Sequence, residues 1–236
     1  MSEIPGVQIL PVGPATIHWL PPQVPLAVSE VERVLTADEQ AHAATLRATP
    51  RRHEYQRARY LARRLADWSG PLPRSPDGVT TWPPGLTGSI THKDGYVGVA
   101  LAPTSQWLSL GIDAEDAERM QEAFEARICT AAESRLIDVL AHTSSEPRRL
   151  WLTIIFSFKE ALFKCHYPLG RTMFYFLDAE IEAFDPKSST VKARLKLTTS
   201  PHTLQGSSAT GHYSLWRAAS GRQMVLTSVL LPQTTV

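Results

Sequence analysis

Phe156-Ser157-Phe158-Lys159-Glu160-Ala161-Leu162-Phe163-Lys164 reads as the last turns of a helix that Pro147 opens at its first helical position. Glu160 and Lys164 are four apart and stack on one helical face, with Ser157 a turn before them. Lys159 points about a quarter-turn away. Beyond Gly170 the apolar period changes to two, which predicts strands over 173–184, 190–198, 212–219 and 223–231. In the second of these, Val191, Ala193, Leu195 and Leu197 alternate with polar residues. A long helix feeding four strands is an α+β arrangement.

The same order occurs upstream. Residues 1–30 are proline-rich, with a short strand expected at 16–20. Thr36 and Glu39 form a capping box that opens a helix into the forties. Pro50 starts a longer helix, stopped by Ser69-Gly70-Pro71, whose Ala58, Leu61, Ala62, Leu65 and Trp68 form one apolar face. Arg51, Tyr55, Arg59 and Arg63 run along another ridge, each four apart. Residues 70–88 read as a loop, followed by Ser89 to His92, a turn at 93–95 and a strand over 96–101. Residues 107–113 are expected to be the antiparallel partner of that strand. A second capping box, Thr130 with Glu133, opens a helix to about His142. The expected architecture is therefore α/β of the α+β type: two pseudo-symmetric halves, 1–115 and 116–236, each a small, largely antiparallel sheet with helices.

A chain of 236 residues with 43 % hydrophobic and 20 % charged residues has enough apolar material for such halves. A net charge of +1 excludes a strong global pull toward nucleic acid or anionic membrane, so anion binding must come from local clusters. Two cysteines, Cys129 and Cys165, make no disulfide framework and are expected to be free thiols. The N-terminus lacks the pattern of a secretory signal, and no apolar run approaches the ~20 residues needed to cross a bilayer. A cytoplasmic monomer is expected, without membrane or nucleic-acid partners.

In a strand, residues two apart face the same way, so Asp113 and Glu115 would present paired carboxylates. Like charges that close need a cation between them, and Mg²⁺ suits a few hard oxygen ligands. The other reading is a solvated acidic loop, since Asp116 and Glu118 follow. The arginine ridge is either a helix face in water or a phosphate surface, because guanidinium donors match phosphate oxygens. His92, after Ser89 and Thr91, is either a structural histidine or a donor to phosphate. No Ser-His-Asp order, Walker loop, dinucleotide fingerprint or zinc pattern is present.

Together these segments resemble the 4′-phosphopantetheinyl transferases of the surfactin and enterobactin type. The family carries G-[IV]-D-x-E, here Gly111 to Glu115, and [FW]-[SCA]-x-K-E-[AS]-x-x-K, here Phe156 to Lys164. The enterobactin-like branch adds an R-R-x-E-[FY] helix, here Arg51 to Tyr55 with Arg59, and W-P-x-G-x-x-G-S-[IL]-[ST]-H, here Trp82 to His92. Ala58 replaces a frequent glycine, and Lys93 stands where many relatives have cysteine.

The resemblance implies coenzyme A lying between the halves, with Asp113, Glu115 and Glu160 holding Mg²⁺ (or Mn²⁺) against the pyrophosphate. Arg51, Arg59 and Arg74 would grip the nucleotide-end phosphates, with Thr91 and His92 lining the same site. Lys159 and Lys164 would contact phosphate. The implied reaction moves the 4′-phosphopantetheine arm to a serine of an apo acyl or peptidyl carrier protein, as in polyketide, nonribosomal-peptide or siderophore synthesis. Glu160, Lys164 and His92 would be catalytic. A metal-dependent nuclease or nucleotidyl transferase, and a non-catalytic carrier-binding module, are the alternatives.

Overall fold

The computed structural model describes residues 4–196 and 208–233. The chain divides into two units, the first running from residue 15 to Leu110 and the second from Gly111 to Leu231. Residues 4–11 with Pro232 and Gln233 belong to the first unit, and Val12–Pro14 to the second. The division falls inside a strand rather than after Glu115.

In the first unit β1 (Gln8–Val12), β2 (Ala15–Leu20), β3 (Leu86–Lys93) and β4 (Tyr96–Pro103) form a sheet of order β1-β2-β4-β3. β4 pairs antiparallel with both β2 and β3. Asp94 and Gly95, both at positive φ, make the β3–β4 turn. Three helices precede β3: α1 (Val28–Val34), α2 (Ala37–Thr45) and α3 (Thr49–Ala66). The Thr36–Glu39 capping box forms with both of its bonds, and α3 ends at Asp67 in the left-handed region. The predicted face of α3 is the one that packs: Ala58, Leu61, Ala62 and Leu65 join Leu20, Val97 and Val99 in one core. β1 and α1 lie in the proline-rich stretch, where sequence pattern did not indicate them.

The second sheet has the order β5-β9-β8-β7-β6, from β5 (Trp107–Asp116), β6 (Ala179–Asp185), β7 (Thr190–Leu195), β8 (Ser208–Arg217) and β9 (Gln223–Pro232). β6 to β9 pair antiparallel in succession. The four expected strands are present, although residues 173–178 precede the first, and Leu197 lies outside the described residues. β5 corrects the expected pairing: it joins this sheet beside β9, not β4. A strand's own pattern shows that it has a buried face but not which neighbour takes its edge.

Two short helical turns, at Glu122–Phe124 and Phe176–Asp178, flank α4 (Glu125–Ile128), α5 (Ala131–Ser144) and α6 (Arg148–Gly170). The Thr130–Glu133 capping box forms, and Pro147 is the N-cap of α6. α6 is buried on nearly every side from Leu150 to His166, the pattern of a central helix. Phe158, Ala161 and Leu162 pack with Val191, Val225 and Val229. Both cysteines are free and buried.

His166 is buried in α6 with neither ring nitrogen hydrogen-bonded, and burial pulls its pKa from 6.5 down to about 4. The unfolded chain therefore takes up this proton near pH 6.5 while the folded chain refuses it until about pH 4. Stability is complete above pH 6.5 and declines as pH falls through that window, by about 3 kcal/mol from this residue. His166→Leu is expected to flatten that part of the pH dependence, measured by urea unfolding between pH 7 and 4.5. An unchanged slope would show that other groups carry it.

Candidate active site

Within the second unit β5 and α6 touch backbone to backbone. A Cβ on Gly111 would lie 1.9 Å from Ala161 O and 2.6 Å from Cys165 N, so only glycine admits the approach. That contact sets Asp113, two residues on, against the helix. Asp113 is 5 % exposed. Its Oδ1 accepts from Lys164 Nζ at 2.7 Å and its Oδ2 from Ser157 Oγ at 2.9 Å. Lys164 Nζ also donates to Ile112 O at 3.2 Å. Thr227 on β9 lies 2.9 Å from Ser157 Oγ and donates to Ser157 O, fixing the serine from behind. No sequence signal marked Thr227, because its role depends on β9 lying next to β5.

Glu160, partly buried, has its pKa raised by desolvation first and by the charge of Asp113 second, with Lys164 opposing. Two carboxylates are thus coupled under partial burial, with one ammonium already between the strand and the helix. Among the described residues no three His, Cys, Asp or Glu side chains gather as a metal cage. The set Asp113, Glu115 and Glu160 is not drawn together as expected, since the oxygens of Asp113 are engaged by Lys164 and Ser157 and three bare carboxylates would repel. The coupled pair still fits Mg²⁺, which takes one or two carboxylates and fills its shell with water and phosphate oxygens.

Lys159 requires a correction. It was expected to contact phosphate, but it is 2 % exposed and its ammonium is held by Glu133, Ile128 O and Phe176 O. The two residues line one cavity with residues 173–176, but the quarter-turn between neighbouring helix positions gives the Lys159 ammonium to Glu133.

In the first unit the arginine ridge is not a solvated face. Arg59 and Arg63 are each 2 % exposed and share one buried carboxylate, Glu39. Arg63 Nε lies 2.7 Å and Arg59 Nε 3.8 Å from it. Arg59 Nη1 is buried with no hydrogen-bond partner. Thr36, Asp38, Glu39, His42, Tyr55, Arg59 and Arg74 help to line a cavity of about 240 Å³. Two guanidiniums against one carboxylate leave excess positive charge in a buried place, which an anion would neutralise. Arg51 stays exposed in the first turn of α3, outside that lining.

Thr91 and His92 do not share a surface. Successive strand residues face opposite ways: Thr91 is buried near Gly98, while His92 is exposed with Nδ1 3.2 Å from Glu54. Glu54 also accepts from Gly95 N at 2.8 Å, tying α3 to the β3–β4 turn.

A strand carboxylate bonded to a helical lysine and coupled by charge to a helical glutamate suits phosphoryl-group chemistry. The family models agree: the 4′-phosphopantetheinyl transferase superfamily matches residues 109–219, and the 4′-phosphopantetheinyl transferase N-terminal domain matches residues 38–102. The chain belongs to this family, whose members move the 4′-phosphopantetheine of coenzyme A onto carrier proteins. It is 35 % identical to the 4′-phosphopantetheinyl transferase Svp of Streptomyces mobaraensis over 207 residues, which is 86 % of this chain and 81 % of that one. It is 29 % identical to PptT of Mycobacterium tuberculosis, a 4′-phosphopantetheinyl transferase, over 82 % of this chain and 85 % of that one. A solved holo-(acyl-carrier-protein) synthase from Bacillus anthracis, in complex with CoA (3′,5′-ADP), overlays at a TM-score of 0.35 with 19 % identity, covering 55 % of this chain and 99 % of that one. Placement in the enterobactin-like branch rests on the motifs alone.

Proposed function

We propose that Asp113 and Glu160 would hold Mg²⁺ in this transferase, with Glu115 on the same strand, and that a carrier serine attacks the β-phosphorus of coenzyme A and releases adenosine 3′,5′-bisphosphate. The observation that carries the reading is the triad of Asp113, Glu160 and Lys164, brought together from β5 and α6 by the Gly111 contact. When bound, Mg²⁺ supplies positive charge to the pyrophosphate oxygens. Lys164 neutralises charge on the departing adenosine 3′,5′-bisphosphate. Glu160, whose burial and neighbouring carboxylate favour the protonated form, takes the serine proton. Ligation would weaken a carboxylate as a base, so the two roles of Glu160 compete. His92, whose Nδ1 lies 3.2 Å from Glu54, would be a donor to phosphate.

Arg59 and Arg74 take a phosphate of the nucleotide end in their cavity, with Arg51 as an outer charge. Arg59→Met is expected to weaken coenzyme A binding about 10- to 100-fold. The same change removes the excess buried charge, so the folded chain is expected to be no less stable. Calorimetric titration together with thermal unfolding checks both. Unchanged affinity would remove Arg59 from the phosphate site.

The protein acts as a cytoplasmic monomer, with coenzyme A and an apo-carrier as partners and no nucleic acid or membrane. A net charge of +1 argues against a long nucleic-acid footprint; among the described residues no helix is long and apolar enough to cross a membrane. Incubation with coenzyme A, Mg²⁺ and a panel of apo-carriers, each weighed by mass spectrometry, tests the reading and identifies the carrier. Absence of the phosphopantetheine mass increment on every carrier, or equal transfer under chelator, would refute it.

A further inference from the structure

β9 presents Val225, Thr227 and Val229 on one face, and all three are fully buried. The two valines share an apolar cluster with Phe158, Ala161 and Leu162 of α6. A third valine would match Thr227 in size, and a buried hydroxyl costs free energy unless it is bonded. The reason for a threonine here therefore lies in its bonds.

Thr227 Oγ1 lies 2.9 Å from Ser157 Oγ and donates to Ser157 O at 2.9 Å, while Ser157 Oγ donates to Asp113 Oδ2 at 2.9 Å. Each hydroxyl carries one hydrogen, so two hydrogens serve three contacts. The charged carboxylate is the strongest acceptor and takes that of Ser157. That of Thr227 is left for the two oxygens of Ser157, its carbonyl and its hydroxyl. A serine inside a helix can turn its hydroxyl back to the carbonyl four residues earlier, here that of Thr153. Thr227 holds it toward Asp113 instead. Lys164, on the other carboxylate oxygen, is 29 % exposed and can turn to water, whereas Ser157 is buried and cannot. The side of Asp113 that stays in place is the one Ser157 holds.

We propose that Thr227 is a positioning residue: through Ser157 it orients the Asp113 carboxylate, and so sets affinity for the divalent cation that the transferase reading assigns to Asp113. The proposal rests on that reading. Hydrogen bonds to a ligating carboxylate fix its plane before the ion arrives, and losing one typically costs 10- to 100-fold in metal affinity. Thr227 touches neither substrate nor cation and acts from β9 across α6 to β5.

The test follows Mn²⁺ uptake by the loss of its free signal in electron paramagnetic resonance, with saturating coenzyme A and a protein-free blank. Thr227→Val is expected to bind Mn²⁺ at least ~10-fold more weakly, and Thr227→Ser to keep the affinity. Ser157→Ala is expected to show the same loss, and the double variant Thr227→Val with Ser157→Ala no more than either alone. Coenzyme A binding under chelator, which a merely structural defect would weaken as well, is expected to stay within about twofold throughout. Unchanged Mn²⁺ affinity in either single variant, additive losses in the double variant, or an equal loss of metal-free coenzyme A binding would overturn the proposal. If Thr227→Val does not fold, Ser157→Ala must still show the loss and Thr227→Ser must still retain the affinity. Failure of the unaltered protein to take up Mn²⁺ would overturn the metal assignment itself, and the proposal with it.

Discussion

Asp113→Ala is expected to lower phosphopantetheine transfer by at least ~10²-fold while leaving the chain folded, and Glu160→Ala to do the same. Asp113 supplies the charge that gathers Lys164 and Ser157 at one point and that adds to the burial which raises the pKa of Glu160. Removing a preorganised electrostatic group from such a site typically costs ~3–4 kcal/mol in the transition state. The cost to stability is smaller, because Lys164 is 29 % exposed and can turn to water once its partner is gone. Asp113→Asn separates charge from shape, since the amide oxygen still accepts from Ser157 but the negative charge is lost. Mass-spectrometric rates and thermal unfolding on the same samples decide the matter. Near-normal transfer in folded Asp113→Ala would take Asp113 out of the mechanism.

Gly111→Ala is expected to damage fold and activity together. A methyl group 1.9 Å from the Ala161 carbonyl oxygen meets backbone on both sides, and no rotamer relieves it. The strand and the helix must separate by more than ~1 Å, and overpacking of this kind costs about 3 kcal/mol or more. The displaced element carries Asp113, so transfer is expected to fall about 10²-fold even in whatever fraction stays folded. Urea unfolding and rates measured well below the unfolding temperature separate the two effects. Wild-type stability would mean that the helix yields more easily than its burial suggests. The leading glycine of the Gly111-to-Glu115 motif is thus a packing requirement that serves the chemistry two residues later.

Much of the site was legible in the sequence, though not evenly. Glu160 and Lys164 share a helical face because the α-helical repeat requires it, and Asp113 was marked by its Gly-led apolar run. Arg59 was named, but the ridge pattern could not show that it is buried beside Glu39 at the edge of a cavity. Lys159 looked equivalent to Lys164 from the motif. Its different setting depends on Glu133, twenty-six residues away, and on the Phe176 carbonyl. Thr91 and His92 were paired by sequence adjacency, which in a strand places side chains on opposite faces.

The sequence by itself determined the local elements: both capping boxes, the packed face of α3, the start of α6 and the alternating strands after it. Those features depend on residues within a few positions of one another; the end of α6 does not belong with them, since the helix continues through Pro168 to Gly170, past the expected stop near Lys164. Only the tertiary structure decided that β5 pairs with β9, that Thr227 backs Ser157, and which lysine turns inward to Glu133. Such choices depend on partners brought close by the packing of distant segments, and no short-range pattern encodes which partner will be there.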